Sequence, residues 1–382
     1  MSSPRFRALV LSLILLAGAA QAAPGLVLQH ADPRASLADR WAWAFRTASG
    51  GSYAGGFWVG YSIRRTMAEN SFIGSFNWPP HSGDATLAAL LSGPKNPISD
   101  PQADERSVRE AARRALEEME NPNRPERLVD KEIAILFRFR PASGPVPLEI
   151  ENGDLQSLFD PQGAPLLWLG PAGDADSLAV LDRFFSGPAG IGVKKDIVGA
   201  VGLHQAPEAA LPFLERAAAP ASPEAIRLEA AEALAEQTAP RAVEVLRRLI
   251  GEDRSLKVRR EAVSALTSST VPAALDALIE TASNSPDKDI RIEAVAGLAE
   301  KASERAAAGL NRAAFDDRDT EVQKAAVSAL AERPVGESLP ALMSLARTHA
   351  NPAVKRAAIE ALAEIGGPRV VALLAELARG GQ

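Results

Sequence analysis

Cysteine is missing from all 382 residues, and histidine is scarce at 4. Without thiols the chain has no disulfides, no thiol nucleophile, no Cys-ligated zinc and no lipid-modified cysteine behind an export signal. His30, His81, His204 and His349 are scattered, and none forms H-E-x-x-H or another pair at metal-ligand spacing. No cofactor is expected. Aromatic residues make up only 5% of the chain while apolar residues make up 46%, much of it alanine, a balance that fits closely packed helices better than a large sheet sandwich. Positive charge is also short: 42 Lys and Arg stand against 48 Asp and Glu. Nucleic acid is not expected as a partner, because phosphate neutralisation needs clustered Lys and Arg.

The longest apolar run, Ala8 to Ala19, is too short to span a bilayer comfortably, and it follows Arg5 and Arg7 and precedes the small-x-small site Ala20-Gln21-Ala22. Residues 1–22 therefore read as a signal peptide cleaved after Ala22, and the mature protein is expected to be periplasmic or secreted. Removing Arg5 and Arg7 takes the net charge from −6 to 42 − 2 − 48 = −8. A chain of this length suggests two domains or a quasi-linear array.

The strongest pattern is a repeat. Segments beginning at Ile226, Val258, Ile290, Val322 and Val354 are spaced by 32 residues, and each runs into Ala-x-x-x-Leu, from Ala230–Leu234 to Ala358–Leu362. Apolar residues at i, i+4 and i+8 make one helical stripe. A second helix follows in each unit, marked by Leu246, Leu278, Leu310, Leu342 and Leu374, with Leu214 extending the series backwards. Ser255, Asp287, Asp319 and Asn351 stand as N-caps ahead of the first helices, with Ser222 one residue out of register. Pro240, Pro272, Gly336 and Pro368 punctuate the turn between helices.

With its Val/Ile-Arg-x-x-Ala segments, the Ala-x-x-x-Leu that follows and the Pro or Gly before each second helix, the chain resembles the HEAT repeats, in the short form named after phycobilisome lyases. The resemblance covers about half the chain. It implies a scaffold whose second helices line a concave groove, with a protein or peptide as partner. The fold class is mainly α: a C-terminal α-solenoid of HEAT-like helix pairs over 194–382, preceded by a small strand-rich α+β domain over 23–170. A capping helix and junction lie between, over 171–193.

The two positions after each second-helix leucine are expected to point away from the first helix. They are Arg247 and Arg248, Ile279 and Glu280, Asn311 and Arg312, and Met343 and Ser344. Ile279 and Met343 are apolar in polar columns and read as contact anchors, although singly exposed apolar residues are also normal. A column Arg227, Arg259, Arg291, Gln323, Lys355 is set opposite Glu229, Glu261, Glu293, Ala325, Ala357 and reads as a ladder of solvated ion pairs. Val370 and Leu373 replace smaller residues of earlier units, leaving an apolar edge for self-association.

Ahead of the repeats, Trp41, Trp43 and Phe45 alternate, as do Phe57, Val59, Tyr61 and Ile63, and Ile133, Ile135, Phe137 and Phe139. Period two among aromatic and β-branched residues predicts strands. A further strand over 146–150 is expected to turn at Asn152-Gly153, with another over 166–169, and a charged helix is predicted over 103–120. Asp174 to Phe185 reads as a helix with Leu178, Leu181 and Phe185 on one face.

Catalytic patterns are incomplete. Gly187 to Gly192 has P-loop spacing, but Val193 stands where the phosphate lysine belongs. Gly60-Tyr61-Ser62-Ile63-Arg64 starts like a nucleophile elbow, but Arg64 replaces its second glycine. Asp316, Asp317 and Asp319 lack the order and glycine of a calcium loop. No catalytic or metal residue is assigned. The alternative is a hydrolase with its site around Tyr53–Arg65 and His81 and the solenoid as a targeting module.

Overall fold

The computed structural model describes residues 26–32, 34–50, 55–69, 71, 73, 85–92, 127–140 and 144–380. The chain divides into two compact units, one up to Asp176 and one from Ser177. The signal peptide, the 103–120 helix, Tyr53 and His81 lie outside the described residues.

In the first unit, β1 (Val27–Gln29), β2 (Phe57–Ala68), β4 (Leu128–Phe139), β5 (Glu149–Asp154) and β7 (Leu166–Pro171) form one sheet in the order β1-β7-β2-β4-β5. β7 runs parallel to both β1 and β2, while β2, β4 and β5 are antiparallel neighbours. The alternation sends Phe57, Val59, Tyr61 and Ile63 of β2 to one face, with Ile133, Ile135, Phe137 and Phe139 of β4 beside them, all buried. On that face lies α1 (Leu37–Gly50), whose Trp41 meets Phe137 edge-on at 5.3 Å and Phe139 at 6.0 Å. Trp58, Leu136 and Trp168 point the other way and pack with Leu87 of α2 (Leu87–Ser92) and Phe159. Phe159 belongs to a small ribbon of β3 (Ala85–Thr86) and β6 (Leu158–Phe159). Gly60 is needed where these layers meet, since a Cβ there would stand 2.4 Å from Leu136 Cδ2.

Two expectations fail in this unit. Trp41, Trp43 and Phe45 are helical, because Leu37, Trp41, Ala44 and Ala48 form a buried i, i+4, i+7, i+11 stripe that outweighs the aromatic alternation. Asn152-Gly153 lies inside β5, opposite Ile135 and Ala134.

In the second unit α3 (Asp174–Ser186) leads into six helix pairs among the described residues: α4 (Ile191–Gly202) with α5 (Pro207–Ala217), α6 (Glu224–Ala235) with α7 (Pro240–Glu252), α8 (Leu256–Ser268) with α9 (Ala273–Asn284), α10 (Lys288–Ala299) with α11 (Glu304–Asp316), α12 (Thr320–Ala331) with α13 (Val335–Thr348), and α14 (Pro352–Ile365) with α15 (Pro368–Gly380). The repeat columns are the core. Ile226, Val258, Ile290, Val322 and Val354 are buried, as are the alanine column from Ala230 to Ala358 and the leucines from Leu214 to Leu342. The first pair departs from the pattern because Gly202 occupies the leucine column, where a Cβ would meet that of Ala233 at 2.8 Å.

Capping follows the sequence in part. Asp287, Asp319 and Asn351 accept hydrogen bonds from the backbone N–H two residues on, at 2.9, 2.8 and 2.9 Å. Ser255 holds the cap position without such a bond, and Pro223, not Ser222, caps α6. In α3 the buried face is Leu178, Leu181 and Phe184, and Phe185 meets Phe213 edge-on at 4.9 Å. Val370 and Leu373 are buried, so they do not form the exposed edge expected of the last helix.

Candidate functional site

The first helices of successive units press closely together, as their alanine columns allow, whereas the second helices touch one another more sparingly. Polar side chains differ between these regions. Arg227 lies 1% exposed, with Nε and Nη2 donating to Asp253 at 2.7 and 2.9 Å and Nη1 donating to the Ser222 carbonyl at 2.6 Å. Arg291 repeats this arrangement with Asp317 at 2.8 and 3.0 Å and the Ser285 carbonyl at 2.8 Å. Burial works to raise the Asp253 carboxyl, but the Arg227 hydrogen bonds and the Ser255 N–H outweigh it and hold the group below its ordinary value.

The arginine column is therefore not a solvated ladder facing the glutamates. Its buried members close onto aspartates in the turn after the second helix, 26 residues along. Arg259 has Ser285 at the corresponding place and pairs with Asp287 at 2.9 Å in a more exposed setting. Glu229 instead meets Lys195 at 3.3 Å. Asp317 and Asp319 are thus engaged with Arg291 and the Glu321 N–H.

A second column escaped the sequence reading. Gln237, Ser269, Lys301 and Arg333 are spaced by 32 residues at the turn between first and second helices. Gln237 Nε2 donates to the Gly202 carbonyl at 3.0 Å, Lys301 Nζ to Ser269 at 3.3 Å, and Arg333 Nη1 to Lys301 at 2.8 Å. Three of the four turns are thus tied back to the preceding unit, while the Ser269 side chain accepts from the Val271 N–H of its own turn at 3.2 Å. The 32-residue spacing was the available signal, masked by chemically unlike residues.

The candidate residues fall on the second-helix row. Arg247 and Glu280 form an ion pair from α7 to α9. Ile279 is half-buried, with its Cγ1 3.4 Å from where a Cβ on Gly309 of α11 would stand, so it packs between successive units. Asn311 is half-buried, and its Oδ1 is buried without a hydrogen-bond partner among the described residues. Arg248, Arg312 and Ser344 are exposed and Met343 is half-buried. The structure joins Arg247 to Glu280 and places the others singly along the row.

His204 and Ser177 form a pair the sequence did not suggest. Ser177 Oγ and His204 Nε2 are 2.8 Å apart, and His204 Nδ1 lies 2.9 Å from the Ala200 carbonyl. The spacing matches a nucleophile and its base. Both side chains are buried to 1% exposure or less, so the pair fastens α3 to the first helix pair within the core. Among the described residues no three His, Asp or Glu side chains gather as metal ligands. In the first unit, Ser62 is buried in the sheet and donates to Glu132 Oε2 at 2.8 Å. Burial, with Glu149 beside it, raises Glu151 on β5 to about 7, against the opposing pull of Arg138.

The family model for HEAT repeats matches residues 191–267, 210–299, 275–337 and 307–382, which together cover half the chain. Among solved structures, the chain is similar to YibA of Escherichia coli at 18% identity, over 53% of this chain and 76% of that one, with a TM-score of 0.34. It is similar to the CpcE–CpcF complex of phycocyanin lyase from Nostoc at 20% identity, over 40% and 97%, with a TM-score of 0.31. Human deoxyhypusine hydroxylase is similar at 19% identity, over 53% and 77%, with a TM-score of 0.24. No curated protein matches the chain.

Proposed function

Since the chain belongs to the HEAT-repeat family, we propose that it is an exported, non-catalytic scaffold that binds a protein or peptide through its second-helix row. One observation carries the reading. The buried polar side chains at the turns, such as Asp253, Asp317 and Arg333, are consumed within the stack, while among the described residues Arg248, Arg312 and Met343 stand on the second helices with no ion pair or hydrogen bond and Asn311 Oδ1 is unsatisfied. Side chains that the fold does not use are available to a partner. Export rests on Arg5, Arg7, the apolar Ala8–Ala19 and the Ala20-Gln21-Ala22 cleavage site.

Affinity capture from a periplasmic extract tests the binding role, comparing the native chain with Arg312→Glu and Met343→Glu, each checked for unchanged helical circular dichroism. Loss of a specific partner with either variant is expected. Equal recovery with both removes the row from consideration. Osmotic-shock fractionation with N-terminal sequencing tests export, the expected mature chain beginning at Ala23.

A further inference from the structure

Between the C-terminal ends of α5 and α7, with Arg227 of α6 beside it, lies a partly open cavity of about 190 Å³. Ala218, Ala219, Val245 and Leu249 give it an apolar wall, and the saturated Arg227–Asp253 pair also lines it. Arg248 and Arg254 line it as well and are exposed, without an ion pair or hydrogen bond among the described residues. Of the lining acids, Glu215 is held by Arg241 through two bonds of 2.6 and 2.7 Å and Asp253 by Arg227, with the Arg254 charge also acting on Asp253, which leaves Glu252 as the lining carboxylate without an ion pair among the described residues.

The repeat supplies internal controls. The counterpart of Arg254 two units on is Arg318, which donates to the Ser285 and Pro286 carbonyls at 3.0 and 3.2 Å. The same column is thus hydrogen-bonded to the stack there and, among the described residues, makes no hydrogen bond here. Ala219 has Phe315 as its counterpart three units on, and that ring packs at 5.7 Å from His349. Between α7 and α9 the Arg247–Glu280 pair crosses from one second helix to the next. Between α5 and α7 the only ion pair among the described residues is Arg241–Glu215.

We propose that this cavity binds an acidic peptide segment of a partner protein, with an aspartate or glutamate side chain engaging Arg248 and Arg254 and a neighbouring apolar side chain entering the recess beside Ala219. The proposal rests on the scaffold reading and deepens it. Planar guanidinium groups suit a carboxylate, and the apolar wall selects a ligand that carries a hydrocarbon side chain next to its charge. The volume admits a side chain and not a folded domain.

The test uses the full chain to select from a phage-displayed library of random heptapeptides. Enriched sequences should pair Asp or Glu with an adjacent apolar residue. By fluorescence anisotropy, a labelled enriched peptide should bind about tenfold or more weakly when its acid is changed to the amide, and likewise to the Arg248→Ala/Arg254→Ala variant. Ala219→Phe keeps both arginines, fills the recess with a side chain the chain already uses at Phe315, and should weaken binding to a similar degree. Thermal denaturation confirms that the variants remain folded. Enrichment of peptides without acidic residues, equal binding to both variants, displacement by inorganic phosphate while the amide analogue binds unchanged, or no enrichment at all would overturn the site. A partner captured in the extract experiment that depends on Arg312 but not on Arg248 and Arg254 removes this cavity and leaves the scaffold reading standing.

Discussion

Beside the turns of the helical stack, Arg227, Arg291 and Arg333 are buried against carboxylates and backbone carbonyls, whereas along the second helices Arg248 and Arg312 are exposed and, among the described residues, unpaired. Arg227 and Arg291 stand 64 residues apart, as do Arg248 and Arg312, so regularity alone does not separate structural from binding residues. The separation comes from whether the fold itself supplies a partner. A buried guanidinium that loses its carboxylate leaves a stranded charge, while an exposed one returns to water.

The largest effect is expected at the turns. Arg291→Ala strands Asp317, which is 4% exposed at its side chain, and should lower unfolding stability by about 3–5 kcal/mol in urea titrations. The double variant Arg291→Ala/Asp317→Ala should recover part of that loss, and a double variant no better than the single would contradict the stranded-charge account. Arg333→Ala removes donors to the Lys301 and Ser303 carbonyls and should cost about 1.5–3 kcal/mol by the same measurement.

The first unit offers a carboxyl of the opposite kind. Glu151 titrates near 7 in the folded chain because burial disfavours its charge. The folded state therefore binds the proton more tightly than the unfolded state, and stability falls as pH rises from the ordinary glutamate value towards 7. Glu151→Gln should raise the melting temperature at pH 8 and leave it nearly unchanged at pH 4. An equal shift at both values would point to packing rather than charge. The smallest effect belongs to the second-helix row, where Arg247→Ala should cost about 0.2–1 kcal/mol and less in high salt. A loss as large as that at Arg291 would erase the contrast between the two regions.

The helix pairs were legible because Ile226, Ala230, Leu234 and Leu246 must recur wherever the same core is rebuilt. Their polar partners were not legible. Arg227 lies two residues from Glu229, yet it pairs with Asp253, because the second helix folds back and brings its far turn alongside. Adjacency along the chain favoured the wrong acid. Ile279 looked free because Gly309, the small residue that receives it, lies on the next second helix. In the first unit, Trp41 and Phe45 satisfy a helix at i, i+4 as well as a strand, and the small Ala44 and Ala48 that decide the matter carry little weight in an alternation count.

The bonds from Lys301 to Ser269 and from Arg333 to Lys301 join two successive turns each to the one before it, so these neighbouring units are fastened by links of similar kind. Such a row responds to tension like a chain of matched links and not like a single bolt. When one link yields, 32 residues of slack become available, a contour of about 110 Å at roughly 3.5 Å per residue, while the remaining links still hold. Pulled by whatever it binds, the stack would lengthen in steps of one unit and keep the rest of its surface intact.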